Sequence, residues 1–247
     1  MEPAPHQTGT EAAEGVSVVV PVHDGARYLG EALHSVISQQ PPPLEVIVVD
    51  DCSSDDSAAI AMAFGPPVRV MAAVGQGAAA ARNTGVKAAK APLIAFLDAD
   101  DRWAEGALAH LGNALMAEPQ AGIAHGRVGE FVSPDLSPEI GARLAARPGA
   151  PLGLIPGSLL VRADLFQTLG FLDTGLRAGE VVDWIARLRH AGVGEARTEA
   201  VVLERRVHAG HLSAAKKESR ADLLEVVRRS LARQRGQEGA KYQEGAI

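Results

Sequence analysis

Three carboxylates follow directly on one short apolar run. Residues 93–97 have the length and composition of a buried strand, and the acids after it are Asp98, Asp100 and Asp101. Open α/β sheets bind ligands beyond the carboxyl ends of their strands, where crowded acids need a cation or hydrogen bonds to offset their repulsion. Oxygen ligands at this spacing suit Mg²⁺ or Mn²⁺, and such an ion would also bind a diphosphate. The alternative, which the triplet alone leaves open, is an acidic turn in which Asp101 caps the next helix.

The composition is that of a globular protein that can fill a core, since 47% of the 247 residues are hydrophobic and 22% are charged. The formal net charge of −6 argues against nucleic acid as the main partner, because phosphate binding requires a basic surface. The single cysteine, Cys52, excludes an internal disulfide and fits a reducing compartment, so we expect a cytoplasmic protein. No run reaches the ~18 apolar residues of a membrane span. Residues 1–15 contain several glutamates and no apolar core, which predicts a disordered lead-in rather than a signal peptide.

Residues 16–103 alternate between strand and helix patterns. Continuous apolar runs predict buried strands at residues 16–22, 44–49, 68–73 and 93–97. Helices are predicted at residues 26–39, after Ser53 or Ser54 as N-cap, and from Gly77 to about residue 89. The alternation is typical of a doubly wound α/β fold with right-handed crossovers.

The pattern is weaker after residue 103. A helix is predicted around Leu108, Leu111 and Leu115, and the Pro-, Gly- and Ala-rich residues 133–153 predict a long loop, with a short helix at 140–146 as an option. Further elements are predicted as a strand at 157–161, helices at 163–169 and 180–191, and a strand at 201–207. Residues 214–235 have the pattern of a basic amphipathic helix, whose apolar face either packs on the domain or contacts a membrane surface or an acidic partner.

Four motifs in the first half occur in order and at fitting intervals: VSVVVPVHDG at 16–25, VVDDCSSD at 48–55, ARNTG at 81–85 and FLDADD at 96–101. Together they resemble the nucleotide-sugar half of a family 2 glycosyltransferase of GT-A fold, and the resemblance extends more loosely through residues 157–192. It implies a Rossmann-like α/β/α sandwich with a mostly parallel central sheet and a C-terminal helical extension. The implied division is a domain at 16–213, with a nucleotide-sugar half at 16–103 and an acceptor half at 104–213, followed by a basic helix and tail at 214–247.

The resemblance implies roles for the residues of a donor site. The backbone at Pro21 and Val22 would pair with the edge of uracil or another base, and Asp51 would accept a hydrogen bond from a base N–H. The neighbouring Asp50 could equally cap the loop. Arg82 lies just inside a predicted helix, where a guanidinium and a helix N-terminus both suit a diphosphate. Arg82 could also form a salt bridge to the acidic cluster that follows residue 97.

The resemblance also implies a metal site for Mn²⁺ or Mg²⁺. Asp98 would contact the ribose or the metal shell, Asp100 would bind the metal directly, and His208 would supply a third ligand. The ion would neutralise the departing nucleoside diphosphate as a Lewis acid. The alternatives left open are His211 as the ligand, and Arg205 or Arg206 as direct contacts of the diphosphate.

The catalytic base is the point at which the sequence departs from the family pattern. Family members commonly place a Glu-Asp pair, an apolar residue and another acid at the start of a helix that faces the acceptor, but Val181 stands here in place of the second carboxylate. Glu180 and Asp183 remain, three residues apart on one helix face, and either could take a proton from an acceptor hydroxyl. We favour Glu180 because it is nearer the helix start, although an acid there also simply favours the helix dipole.

The predicted function is a metal-dependent, inverting glycosyltransferase of hexosyltransferase type. It would move a sugar from a nucleoside-diphosphate sugar, with a UDP-sugar expected, to the hydroxyl of an acceptor that the sequence does not identify. The alternative is a non-catalytic module that binds sugar nucleotides and has lost its base at Val181. A sugar-nucleotide pyrophosphorylase would share the α/β layout, but its Gly-rich phosphate loop is missing after the first strand.

Overall fold

The described part of the chain is built around one eight-stranded sheet. The computed structural model describes residues 15–134, 136, 139, 150–176, 178–208, 225, 226, 228 and 229. The strands are β1 Val16–Val22, β2 Glu45–Asp50, β3 Val68–Ala72, β4 Leu93–Phe96, β5 Arg102–Trp103, β6 Ala121–Val132, β7 Leu159–Arg162 and β8 Gly194–Val207. The helices are α1 Ala26–Ile37, α2 Ser57–Ala63, α3 Ala78–Ala88, α4 Ala107–Ala117, α5 Leu165–Thr168 and α6 Glu180–His190, with a 3₁₀ turn at Pro156–Ser158.

The sheet is mostly parallel, and its strand order is β3-β2-β1-β4-β7-β6-β8-β5. The first four strands in that order are parallel to one another, and β6 is parallel to β8. The strands β7 and β5 run against their neighbours. The register places Val22 beside Asp50 and Val19 beside Phe96, so that β1, β2 and β4 end at one edge of the sheet. Side chains that follow these strands therefore meet there.

Helices cover both faces of the sheet, as the alternation of buried side chains along β1 requires. Val18 and Val20 belong to one apolar cluster, which contains the buried side chains of α1 and α4. Val19 belongs to a second cluster, which contains those of α3 and α6. The predicted α/β/α sandwich is thereby confirmed.

Most of the predicted elements form, with boundaries shifted by a few residues. The first strand has the predicted bounds, while the helix predicted at 26–39 ends at Ile37. The predicted cap of the next helix is wrong: α2 starts later, after Asp56, and neither Ser53 nor Ser54 caps it. These two serines bind Asp24 in the neighbouring loop instead.

The largest difference between the predicted and the observed elements is β6, a twelve-residue strand that the sequence pattern does not predict. The strand β8 is also longer than predicted, because it begins at Gly194 and pairs with β6 along most of its length. Of the predicted loop at 133–153, the last residues run antiparallel beside β6, where Leu152 forms a bridge with Arg127.

Several predictions fall on residues outside the described ranges. These are the lead-in at 1–14, the optional helix at 140–146, His211 and most of the basic segment at 214–247. The residues described within that segment, 225, 226, 228 and 229, are helical, and the side chain of Val226 is buried. Arg229 forms ion pairs with Asp173, which precedes α6, and with Glu225. In the described ranges, no helix has the length and apolar composition needed to cross a membrane.

Candidate active site

One cleft of about 590 Å³ opens where β1, β2 and β4 end, at the edge where open α/β sheets bind ligands. Every residue predicted for the donor and the metal lines it, namely Pro21, Val22, Asp51, Arg82, Asp98, Asp100 and His208. Sequence reasoning missed Arg27 and Tyr28, which also line the cleft from the first turn of α1. Their position in the sequence, directly after the loop that follows β1, could have predicted that they line the cleft. The two candidate bases, Glu180 and Asp183, are not among the lining residues.

The loops after β1 and β2 are fastened to each other at one end of the cleft. The Oδ1 atom of Asp24 accepts a hydrogen bond from the Ser54 backbone N–H at 2.7 Å, and the Asp24 N–H donates to Ser53 Oγ at 3.0 Å. Asp24 has a φ of 48°, a left-handed conformation that its short polar side chain tolerates through such local bonds. Asp50 accepts from the Ser53 N–H at 3.1 Å, so it is Asp50 that caps the loop, which was one of the two options for this residue.

Asp51 is held from three directions. Its backbone N–H donates to the Val22 carbonyl at 2.8 Å, and its Oδ2 accepts from the Gly77 N–H at 2.7 Å, immediately before α3. The ring of His23 donates from Nδ1 to the Asp51 carbonyl at 2.7 Å, and this bond raises the pKa of His23 above its usual value. The carboxylate is therefore fixed beside the backbone of β1, where an extended ligand edge can reach both.

Arg82, on α3, joins the turn after β4 to the start of α6. Its Nη2 donates to Asp98 Oδ1 at 2.5 Å, and its Nη1 donates to Glu180 Oε1 at 2.6 Å. The residue is only 4% exposed. Burial opposes its charge, but the two carboxylates outweigh burial and raise the pKa of the guanidinium. The salt bridge to the acidic cluster, one of the two options for this residue, is thus present, while the side chain still lines the cleft.

Asp100 and His208 meet on the cleft wall, with Nε2 of the imidazole 3.0 Å from Asp100 Oδ2. A carboxylate is a typical ligand of Mn²⁺ and Mg²⁺, and an imidazole beside it suits the transition ion Mn²⁺ better than Mg²⁺. Within the described ranges, no group of three or more His, Cys, Asp or Glu residues is arranged to hold a metal ion, and Asp98 is engaged by Arg82. Mg²⁺ sites commonly use one or two protein ligands together with substrate phosphates. The pair therefore fits an ion that reaches the cleft with a diphosphate, and the three-ligand set stays a prediction.

Asp101 lies behind the cleft and does not cap a helix. The next helix, α4, begins several residues later with Gly106 at its N-cap, so the capping alternative is wrong. The Asp101 carboxylate accepts from the Arg206 backbone N–H at 2.8 Å. Burial, with the charges of Asp98 and Asp100 as lesser causes, raises the pKa of Asp101 to about 8.

Both candidate bases on α6 are paired with arginines. Glu180, 9% exposed, starts the helix after Gly179 and contacts Arg82. Asp183, 3% exposed, accepts from Arg187 Nε at 3.1 Å. That arginine is itself fixed, because it donates to the backbone carbonyls of residues 169 and 171 at 2.6 and 2.8 Å. Glu180 is therefore connected to the cleft through one side chain, whereas Asp183 belongs to the packing between α6 and the preceding loop.

The part of the chain that forms most of this site is similar to known glycosyltransferases. The family described as Glycosyl transferase family 2 matches residues 17–153, which contain the four motifs apart from Val16 and the lining residues apart from His208. The pre-mycofactocin glycosyltransferase of Mycobacterium tuberculosis is 32% identical over 128 residues, covering 47% of this chain and 27% of that protein. The glycosyltransferase AglE of Haloferax volcanii is 30% identical over 130 residues, covering 47% of this chain and 40% of that protein. The chain thus spans well under half of the length of these curated relatives.

The fold is shared with solved structures of the S. aureus protein TarS. The S. aureus protein TarS in complex with UDP-GlcNAc has a TM-score of 0.70 at 20% identity, and the match covers 88% of this chain and 66% of that one. TarS in complex with UDP has a TM-score of 0.66 at 18% identity, covering 88% of this chain and 64% of that one. Likeness at this identity shows the fold, which is the predicted GT-A fold.

Proposed function

The chain belongs to glycosyl transferase family 2, and we propose that it transfers a sugar from a nucleoside-diphosphate sugar to an acceptor hydroxyl. The observation that carries this proposal is the convergence of the predicted donor residues on one cleft at the carboxyl edge of the sheet. These residues come from separate segments of the chain, and the parallel strands β1, β2 and β4 bring most of them together at one edge of the sheet. A donor that spans from a base to a sugar diphosphate accounts for their arrangement.

The donor we propose is a UDP-sugar. The backbone at Pro21 and Val22 and the fixed carboxylate of Asp51 offer hydrogen-bond acceptors to the edge of a pyrimidine base. Arg82, at the other side of the cleft, supplies positive charge to the diphosphate, while Asp98 is placed for the ribose. The complex of TarS with UDP-GlcNAc, on the same fold, supports this choice of nucleotide.

The proposed cofactor is Mn²⁺ or Mg²⁺, held by Asp100 and His208 together with the phosphates of the donor, and with Asp98 nearby. When bound, the ion would act as a Lewis acid that neutralises charge on the leaving diphosphate. The donor itself would be oriented by the side chains of Asp51, Arg82 and Asp98.

The proposed reaction is a single displacement with inversion at the anomeric carbon. Glu180 accepts the proton of the acceptor hydroxyl, the oxygen forms the bond to the anomeric carbon, and the bond from that carbon to the diphosphate breaks, so that UDP leaves. Glu180 is the better of the two acids for this role because Arg82 ties it to the donor cleft. Asp183 is almost fully buried and bound to Arg187, away from the lining residues.

The second candidate function is a binding module without transfer activity. Val181 is buried at the place where the family has its second acid, and both remaining acids of α6 form ion pairs. Such a module would bind UDP and UDP-sugars in the same cleft, and it would not release UDP from any of them.

A donor screen separates these functions. Thermal unfolding would be followed with a panel of nucleoside-diphosphate sugars, with and without Mn²⁺, and the donor that raises the melting temperature most would be carried into a UDP-release assay with candidate acceptors. Acceptor-dependent UDP release supports the transferase, and a melting shift without release under any condition supports the binding module. No melting shift with any sugar nucleotide would contradict both functions.

A further inference from the structure

The end of β8 is fastened to the acidic turn between β4 and β5 through Arg206. The Arg206 backbone N–H donates to Asp101 Oδ1 at 2.8 Å, and its Nε donates to the carbonyl oxygen of Asp100, also at 2.8 Å. Two residues later along the chain, the ring of His208 reaches the carboxylate of the same Asp100. One arginine thus binds the backbone of one proposed metal ligand and lies on the strand that delivers the other.

The side chain of Arg206 is itself held rigidly. It is 3% exposed, and its Nη2 forms an ion pair with Glu31 of α1. The guanidinium carbon lies 4.6 Å from the centre of the Tyr28 ring and 4.5 Å from that of Phe131, a spacing at which a cation is attracted to both rings. Three separate elements, α1, β6 and the turn between β4 and β5, therefore fix its position. Arg206 does not line the cleft, so the option of a direct contact to the diphosphate is not supported.

Tyr28 links the Arg206 cluster, formed by Arg206, Glu31, Tyr28 and Phe131, to the cleft. The same ring that faces Arg206 also packs against the imidazole of His208, with ring centres 5.1 Å apart. The orientation of the imidazole is thus set by Tyr28 on one side and by Asp100 on the other, and both of these residues contact Arg206.

We propose that Arg206 is the positioning residue of the Asp100–His208 metal pair: it fixes the backbone of Asp100 and the end of β8 so that the carboxylate and the imidazole meet. The inference rests on the proposed metal site. Groups that orient metal ligands without touching the ion typically change metal affinity by ~10–100-fold when they are replaced. A lysine would keep the charge beside Glu31 and the apolar stem, but it has no planar set of donors to hold the Asp100 carbonyl and Glu31 together.

Arg102 provides a matched control. It forms ion pairs with the same Glu31 at 2.8 Å and with Glu204 at 2.5 Å, and its guanidinium lies 4.1 Å from the centre of the same Phe131 ring. Among the described residues, its side chain makes no hydrogen bond to Asp100 or Asp101. If the side chains around Glu31 and Phe131 only stabilise the fold, Arg102→Lys and Arg206→Lys should have similar effects. If Arg206 positions the metal pair, only Arg206→Lys should weaken metal binding.

The test titrates Mn²⁺ into the full chain in the presence of UDP and follows the free ion by electron paramagnetic resonance. We expect Arg206→Lys to bind Mn²⁺ ~10–100-fold more weakly than the wild type, and Arg102→Lys to bind it as the wild type does. Both variants should keep the wild-type circular dichroism spectrum, and a large excess of Mn²⁺ should restore UDP binding to Arg206→Lys, which loss of folding would not allow.

Each other outcome has a definite meaning. Equal Mn²⁺ affinity in Arg206→Lys and the wild type would overturn the positioning role and leave the proposed metal site intact. Equal weakening in both lysine variants would also overturn it, because the cluster would then act as a whole. A wild type that binds UDP equally well with and without Mn²⁺ would overturn the metal site itself, and the inference with it.

Discussion

Arg82 donates to Glu180 at 2.6 Å across 98 positions of sequence, from α3 to the first residue of α6. The same guanidinium binds Asp98, so one buried cation joins a carboxylate that lines the cleft to a carboxylate on α6 that does not. Because a buried charge is costly without partners, moving either carboxylate away from Arg82 would leave the buried guanidinium with one partner fewer. Helix α6 is thereby fastened to the edge of the sheet at which the cleft opens.

Replacing Asp100 tests the metal site directly. Asp100→Ala should keep the fold, because removal of one of several crowded acids relieves repulsion, and it should abolish the part of UDP binding that depends on Mn²⁺. Calorimetric titration of UDP with and without Mn²⁺ measures this difference. Asp56→Ala, at an exposed acid outside the cleft, should behave as the wild type. Equal Mn²⁺-dependent affinity in Asp100→Ala and the wild type would contradict the assignment.

Asp101 should make folding stability depend on pH. Its pKa is raised from 3.8 to about 8, mainly by burial, so between these values the unfolded chain releases a proton that the folded chain keeps. The contribution of this group to stability is therefore complete below about pH 4 and decreases as the pH rises toward 8. Asp101→Asn removes that dependence, and its free energy of unfolding in urea should rise relative to the wild type as the pH increases. Parallel curves for the two proteins would show that Asp101 does not titrate in this way.

Gly85 should be required for the packing of α3 on β1. A Cβ atom at this position would lie 2.9 Å from Cγ2 of Val19 and closer still to its other methyl group, and Val19 is fully buried. Gly85→Ala should destabilise the chain by ~1–3 kcal/mol, as overpacking of a core does. Gly30→Ala is the control, because a Cβ there meets nothing within 4 Å in the middle of α1, and the change should stabilise by ~0.5–1 kcal/mol. Denaturant unfolding of both variants measures the two effects, and a loss at Gly30 equal to that at Gly85 would refute the steric explanation.

The donor side of the cleft was predictable because its residues follow strands with unambiguous apolar patterns. Asp51 and Asp98 each stand within two residues of the end of a strand, and parallel strands bring such ends together whatever the helices between them contain. The missed strand β6 lacks that signal because Gly122 and Gly126 interrupt it. The structure explains both glycines by close packing, since a Cβ would lie 2.7 Å from Leu165 at the first and 2.7 Å from Val202 at the second.

The acceptor side could not be derived in the same way, because its contacts join residues far apart in sequence. The spacing of Glu180 and Asp183 predicts that they share a helix face, but it does not predict that each meets a different arginine. Arg206 is buried, but no local pattern in the sequence predicts this, because an exposed arginine could occupy the same position two residues before His208. Only tertiary packing assigns these partners.

The two acids of α6 should respond differently to neutralisation. In Glu180→Gln, the amide keeps the shape of the side chain and the donor site lies on other elements, so UDP affinity should be retained while transfer falls by ~10²–10⁴-fold, as for a lost general base. In Asp183→Asn, the carboxylate that binds Arg187 is lost from a buried site, so the main effect should be a lower free energy of unfolding, by ~1–3 kcal/mol, with a smaller loss of transfer. Transfer rates at saturating donor, calorimetric UDP affinity and urea unfolding, all measured well below the melting temperature, give the comparison.

The ranking of the two variants decides which carboxylate is the base. Arg82 keeps Asp98 as a partner in Glu180→Gln, so a large loss of transfer there cannot be attributed to collapse of the cleft if UDP still binds with unchanged affinity. A larger loss of transfer in Asp183→Asn than in Glu180→Gln, at equal stability, would move the base to Asp183. Full transfer activity in both variants would show that neither carboxylate of α6 is the base.

Val181→Asp is a further test, because Val181 stands where the family has an acid. If Glu180 is the base, an extra carboxylate at this buried position should lower stability and add no transfer activity.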